Sequence, residues 1–289
     1  MKRDIAETPA LAEKIEPNTY FDITTPYGYG GFIWDGEPDW TGLNAEFTEY
    51  CRSEMIVSEF VRFHPVLRNA EGAEAMYEVI QRGTTVAMDL SSPETIWDGF
   101  TSQNRKNIRK AQNSGARIER SSTGDKIYCF AEMYRETMSR VNADDYYYFD
   151  NAFFDSFATG FGDNHCIFYA VLENKIVAMS IIIFTNRQMH NFLSCSLDEV
   201  KRYALKNILY YEAALWGHKM GLKTSHLGGG VGGRQDGLYN FKKAFNRHHD
   251  YPYYTGQRIY DDVTYQKLLE LRRGDGMDVR EGFFPEYRG

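Results

Sequence analysis

The sequence is short of cysteine, of basic charge and of long apolar runs, and each shortage removes a class of protein. Its four cysteines, Cys51, Cys129, Cys166 and Cys195, form no CxxC pair. Neither a disulfide framework nor a zinc site is therefore expected, and reduced thiols in a cytosol are the default. No stretch approaches the ~18 consecutive apolar residues of a membrane span. The opening MKRDIAETPALAEKIEPN lacks the apolar stretch of a secretory signal. A cytoplasmic protein without a membrane span is the expectation. No GxxxxGK[ST] occurs, so a P-loop nucleotide site is unsupported. Lys and Arg number 33 against 40 Asp and Glu, a formal net charge of −7. That balance excludes a general DNA or RNA binder and leaves room only for a local nucleic-acid contact.

What is present in excess is aromatic: 21 Tyr and 19 Phe in 289 residues. A thick aromatic core explains this more economically than a tyrosine-lined cleft. The length suits two modest domains or one large one. The stretch around which the chain is organised is 222–245, LKTSHLGGGVGGRQDGLYNFKKAF. A short strand (224–227) runs into Gly228, Gly229, Gly230, Gly232 and Gly233. Glycine lacks a Cβ and reaches positive φ cheaply, so a ligand can approach such a backbone closely. Asp236 then caps a helix carrying Leu238, Phe241 and Phe245 on one side, with Lys242 and Lys243 at the foot of the loop. Strand, bare loop, capped helix and cation together suggest a binding or catalytic site.

Along the chain, 20–34 (YFDITTPYGYGGFIW) reads as extended segments around a loop. Tyr27 and Tyr29, set among glycines, are candidates to line an acceptor pocket, and a plain turn with aromatic anchors fits as well. A helix is expected over 44–54, a strand over 55–63 ended by His64-Pro65, a strand over 84–90 and a helix from about Pro93. Residues 103–115 (QNRKNIRKAQNSG) are the most basic place in the chain. Arg105 and Arg109, and Lys106 and Lys110, fall four apart and make one stripe of a helix. The stripe is either a solvated face or a docking strip for phosphates. Ser121-Ser122-Thr123-Gly124 reads as a linker, dividing lobes 1–121 and 122–289. Helices over 125–141 and 150–159 follow. Residues 165–196 then form a three-strand antiparallel meander, 200–220 a long amphipathic helix, 251–260 a last strand and 262–272 a last helix before a tail.

Other motifs weigh little. Gly228-x-Gly230-x-x-Gly233 matches the dinucleotide fingerprint in form, yet KTSHL is polar and no βαβ unit follows. His248-His249-Asp250, adjacent in an expected strand, point to alternate faces and cannot converge on one metal ion. His226 stands before the glycines as a candidate base or as a structural histidine.

The order meander, long helix, strand, helix, strand resembles the core of a GNAT acyltransferase. FDITTPYGYGG, NRKNIRKAQNSGARI, HLGGG…DGLYNFKKAF and FFPEYR resemble the FemAB branch of that superfamily over nearly the whole chain. The resemblance implies an α/β (α+β) fold, a mixed and largely antiparallel sheet flanked by helices, in two GNAT-like lobes. It implies an acyltransferase: the best-studied members use aminoacyl-tRNA to extend the peptide of peptidoglycan precursors, and many relatives are thought to acetylate envelope sugars. The family's essential lysine falls on Lys242 beside Phe241, and its basic helix on Arg105, Lys106, Arg109 and Lys110. The [RQ]xxGx[GA] pyrophosphate loop of CoA-binding members is replaced by Asp198-Glu199-Val200-Lys201-Arg202-Tyr203-Ala204, where Lys201 and Arg202 near a helix start are candidates to hold a donor phosphate. The expectation is acetyl transfer from acetyl-CoA to an amine of a sugar-nucleotide or envelope precursor, without a metal. An aminoacyl-tRNA-dependent transferase is the alternative, and a sugar-nucleotide- or RNA-binding module the non-enzymatic one. Tyr210, Tyr211 and Glu212 are candidates for the base.

Overall fold

The computed structural model describes residues 1–274, 280 and 282–289; residues 275–279 and 281, part of the expected tail, lie outside the described residues. In chain order the strands and helices begin with β1 (Lys2–Asp4), β2 (Phe21–Thr24), α1 (Trp40–Ser53), β3 (Ile56–Arg62), β4 (Glu78–Asp89), α2 (Pro93–Gly99), α3 (Ser102–Gln112) and β5 (Arg117–Ser121). Then come α4 (Ile127–Arg140), α5 (Asn151–Gly160), β6 (His165–Leu172), β7 (Lys175–Thr185) and β8 (Gln188–Ser196). The last are α6 (Leu205–Lys219), β9 (Thr224–Gly228), α7 (Gly237–Lys243), β10 (Tyr251–Ile259) and α8 (Asp262–Arg273). Two compact units result, one of residues 1–83 with 252–289 and one of residues 84–251. The expected division at 121/122 differs from this one. Ser121-Ser122-Thr123-Gly124 ends a strand: β5 pairs with β6, and the Ser121 hydroxyl donates to Asp125 at 2.5 Å in a tight polar turn.

In the first unit β1, β2, β3 and β10 lie in that order, with β2 and β3 parallel and the other pairs antiparallel. What reads as a polar leader contains β1 and two fully buried residues, Ile5 and Leu11. They pack with Val57, Tyr265, Leu268 and Tyr287 in one core. A second cluster gathers Val61, Phe63, Met76 and Tyr77. Asp22 is fully buried. It accepts from Arg3 Nε at 2.8 Å and from the Tyr287 hydroxyl at 3.1 Å, and pairs with Arg288 as well. The FDITT and FFPEYR segments thus meet on one carboxylate.

In the second unit the strand order is β4-β9-β8-β7-β6-β5, antiparallel except for β8 with β9. The amphipathic α6 lays Leu205, Ile208, Leu209 and Ala213 into a core shared with Met88, Phe100, Ile108, Met189, Tyr239 and Phe245. Phe192 of β8 packs instead on Phe153 and Phe157 of α5. Successive strand residues face opposite ways, so Met189 and Phe192 mark two covered faces. The register of β8 against β7 jumps from Leu193 to Asn191, which leaves Phe192 as a bulge. The mixed, largely antiparallel architecture and its helical cover are those implied by the resemblance. No helix among the described residues is long and apolar enough to cross a membrane.

Candidate active site

The parallel pair β8/β9 carries the site. Its backbone ladder runs through Gln188↔Thr224, Met189↔Ser225 and His190↔His226. Beyond that point β8 bulges at Phe192 and β9 runs into the glycine loop, so the ladder stops while both chains continue. Bulges are concentrated beside active sites because they end pairing and re-aim side chains.

Past the end of β8, residues Asp198–Tyr203 form a 3-10 helix, and Ala204 takes a left-handed φ of 55° before α6 starts without a side-chain cap. The N-terminus of a 15-residue helix therefore presents its positive end uncapped. A cavity of about 350 Å³ opens there, lined among others by Lys110, Lys201, Arg202, Lys206 and Phe241. Among the described residues none of its lining side chains is acidic. Lys206 Nζ sits 5.6 Å from the centre of the Phe241 ring. Burial lowers its pKa, and Arg140 and Lys201 push the same way. Arg140 Nη2 donates to the Ser196 carbonyl at 2.9 Å, while its buried Nη1 has no acceptor among the described residues. Asp198, outside the lining, pairs with Lys201 at 2.5 Å and with Arg140 at 3.3 Å, and a lining of four cations without an acid suits an anion.

Lys242 stands next to this cavity. Asp236 accepts from Tyr239 N and from Val231 N, both at 2.9 Å, capping α7 and folding the loop onto it. Lys242 Nζ then donates to the Gly229 carbonyl at 2.7 Å. Burial pushes its pKa down to about 8; the Asp236 carboxylate opposes the shift and Lys206 adds to it. Lys243, one residue on, forms an exposed-side ion pair with Asp250 at 2.9 Å. The glycines behave differently from expectation. Positive φ occurs at Gly228, Gly232 and Gly233, whereas Gly230 has φ −80°. A Cβ at Gly229 would meet the Thr84 carbonyl at 2.7 Å, and one at Gly230 would overlap the Arg234 carbonyl and the Asp236 carboxylate. Gly229 and Gly230 therefore let the loop close on the protein itself.

The basic helix divides its labour. Arg105 donates to the Phe100 carbonyl at 2.6 Å and the Trp97 carbonyl at 3.2 Å, holding the end of α2. Arg109 lies over the Trp97 ring at 5.5 Å. Neither lines the cavity; Lys110 and Asn107 do. Lys201, Arg202 and Phe241 line it as well, so the expected donor residues and the lysine motif are brought together. Tyr27 and Tyr29 belong to the first unit, where Tyr29 packs edge-on against His64 and Tyr253. Of the candidate bases, Tyr210 is buried with its hydroxyl 3.1 Å from Ser194 Oγ, Tyr211 packs on Trp97 and Phe100, and burial raises the Glu212 pKa. His248, His249 and Asp250 precede β10 rather than lying in it; His248 and Arg247 reach Asp98, and Asp250 takes Lys243. Sequence reasoning missed Lys206, Arg140 and His190. Lys206 alone left a trace, as the cation in the first turn of the long helix.

His226, 1% exposed, sits within hydrogen-bond distance of two neighbours: its Nδ1 is 3.0 Å from His190 Nδ1, and its Nε2 is 2.9 Å from Thr85 Oγ1.

Residues 71–175 match the FemAB family, a little over a third of the chain. Among solved structures, the crystal structure of FemX is similar at 15% identity and TM-score 0.58, covering 79% of both chains. The C-terminal domain of a putative lysylphosphatidylglycerol synthetase from Agrobacterium fabrum is similar at 14% identity and TM-score 0.56, covering 86% of this chain and 80% of that one. L-PGS from Bacillus licheniformis is similar at 15% identity and TM-score 0.53, covering 79% and 76%. No curated protein matches the sequence.

Proposed function

We propose that this chain, whose fold and matched segment are those of the FemAB-like branch of the GNAT superfamily, is an acyltransferase that moves an acetyl group from acetyl-CoA to an amine of a sugar-nucleotide or cell-envelope precursor in the cytoplasm. One observation carries the reading: a cation-lined cavity at an uncapped helix N-terminus lies beside a half-buried lysine with a lowered pKa. The cavity takes the donor's phosphates, held by Lys201, Arg202, Lys206 and Lys110. Lys242, Phe241 and the loop Gly228–Gly229–Gly230 meet the acyl end. A carbonyl under attack gathers negative charge on oxygen, and a desolvated ammonium at that point stabilises it by ~3–4 kcal/mol, the scale of one oxyanion-hole donor. Arg105 and Arg109 act one step back, by fixing α3 so that Lys110 faces the cavity. Calorimetric titration with acetyl-CoA tests the donor, with Lys206→Ala and Arg202→Ala expected to weaken binding ~10-fold each, about the worth of one charge-assisted contact.

A second donor, aminoacyl-tRNA, is favoured by the FemAB match and by the exposed Lys106 and Arg109 beside Lys110 on α3. No acetyl-CoA binding at millimolar concentration, together with transfer from charged tRNA, replaces the first donor by the second. Product mass after incubation with amino-sugars then names the acceptor.

A further inference from the structure

Acyl transfer from a neutral amine releases a proton, which needs a destination at the reacting nitrogen. Tyr210 is buried against Ser194 with its pKa raised by burial, and Lys242 is a donor to the Gly229 carbonyl. A third set of side chains lies at the place where β8 and β9 stop pairing. Thr85 of β4, His226 of β9 and His190 of β8 form one row across three adjacent strands, with contacts of 2.9 Å and 3.0 Å. His190↔His226 is the last pair of the parallel ladder. His226 is sealed from solvent, whereas His190 is half-buried, so a substrate reaches the row at His190.

We propose that His190 is the general base of the acyl transfer and that His226 positions it, an assignment that rests on the acyltransferase reading. Two Nδ1 atoms at hydrogen-bond distance share one proton. When His190 Nδ1–H donates to His226 Nδ1, His226 Nε2–H donates to Thr85 Oγ1, and the His190 Nε2 lone pair becomes the proton acceptor. An imidazolium formed on His190 keeps its Nδ1–H bonded to the neutral His226 ring. Fixing tautomer and ring plane in this way is what the third member of a catalytic triad does for its histidine.

Gly229, whose carbonyl holds Lys242, follows β9 three residues after His226. The pairing of His190 with His226 and of Lys242 with Gly229 brings base and oxyanion cation to the same end of β9. In the step, the amine lone pair forms the N–C bond as the carbonyl π pair moves to oxygen beside Lys242. The amine proton passes to His190 Nε2. Collapse breaks the bond from carbon to the donor's sulfur or ribose oxygen, and the His190 proton goes on to that leaving group.

The test uses the full chain with acetyl-CoA or alanyl-tRNA as donor and glucosamine as acceptor. His190→Ala should lower kcat by about 100-fold or more, the range of general acid–base catalysis, and leave donor affinity by calorimetry unchanged. Millimolar imidazole in the buffer should restore part of that rate, which no structural role of His190 would allow. His226→Gln, checked for wild-type thermal unfolding, should lower kcat while the acceptor KM stays put. A wild-type protein that turns over while His190→Ala keeps pace within about threefold, or is deaf to imidazole, overturns the base assignment alone. A wild-type protein that transfers no acyl group from either donor overturns the acyltransferase reading beneath it.

Discussion

Lys242 and Lys243 are neighbours in sequence and differ in their partners. Both are half-buried, but one donates to the Gly229 carbonyl and the other pairs with the Asp250 carboxylate. Lys242→Ala should therefore reduce kcat about 100-fold with the fold intact, while Lys243→Ala changes it by less than about threefold. Steady-state kinetics on both variants decide this, and equal small losses would make Lys242 a packing residue. The lowered pKa adds a pH dependence with a definite sign. Lys242 stabilises an oxyanion only while protonated, so the rate should fall as pH rises through about 8, and Lys242→Arg should carry the plateau to higher pH. Its effect on stability runs the other way. The unfolded chain binds this proton up to lysine's ordinary 10.5, so this group's share of stability rises between about 8 and 10.5. Lys242 was legible because the loop-to-helix pattern around it is local. Lys206, Arg140 and His190 were not, because what distinguishes each is a neighbour from a distant segment: Phe241, Ser196 and His226.

At the scale of elements, long amphipathic pieces declared themselves and short edges did not. The meander, α6 and α8 follow from apolar periodicity, and Asp236 caps α7 as its position suggests. The strands missed, β1 and β5, are three and five residues long and largely polar. Such strands exist because a neighbour offers free backbone groups, and no pattern in their own residues records that. The glycine loop was found in the right place with the wrong reason at two positions. Gly230→Val should still be badly tolerated, because its side chain would displace Asp236 and undo the cap of α7. The expected loss is about 2 kcal/mol or more, read by thermal unfolding and by a fall in activity. The basic stripe of α3 also separates by experiment. Lys110→Ala should weaken donor binding at unchanged stability, whereas Arg105→Ala should cost about 1–2 kcal/mol by freeing the Trp97 and Phe100 carbonyls. The reverse pattern in titration and unfolding curves would move the donor contact from Lys110 to Arg105.

At the scale of the whole molecule, the division into units is what sequence could not show, because nothing local marks a strand as belonging with one some 200 residues away. β10 completes the first unit by pairing with β3, Thr255 opposite Arg62 and Ile259 opposite Ser58. Asp22 fastens the same unit, taking Arg3 from its beginning and Tyr287 and Arg288 from its end. Asp22→Ala should lower its stability by about 3 kcal/mol, since two arginines lose a buried partner. Thermal unfolding of the variant checks this, and an unchanged midpoint would reduce the cluster to surface pairing. The discontinuity bears on the order of events at the ribosome. Residues 84–251 emerge as an uninterrupted length and hold β5 to β9 together with the stretch of β4 that pairs with β9. Residues 1–83 emerge earlier and must wait, their β3 edge unmet, until some 170 further residues have been made. At ~5–20 residues per second that delay is ~10–30 s. During it, Val57 lacks Tyr265, Leu268 and Leu269, the residues of α8 that later join its core, so the earlier-made part of the unit is the later to be safe.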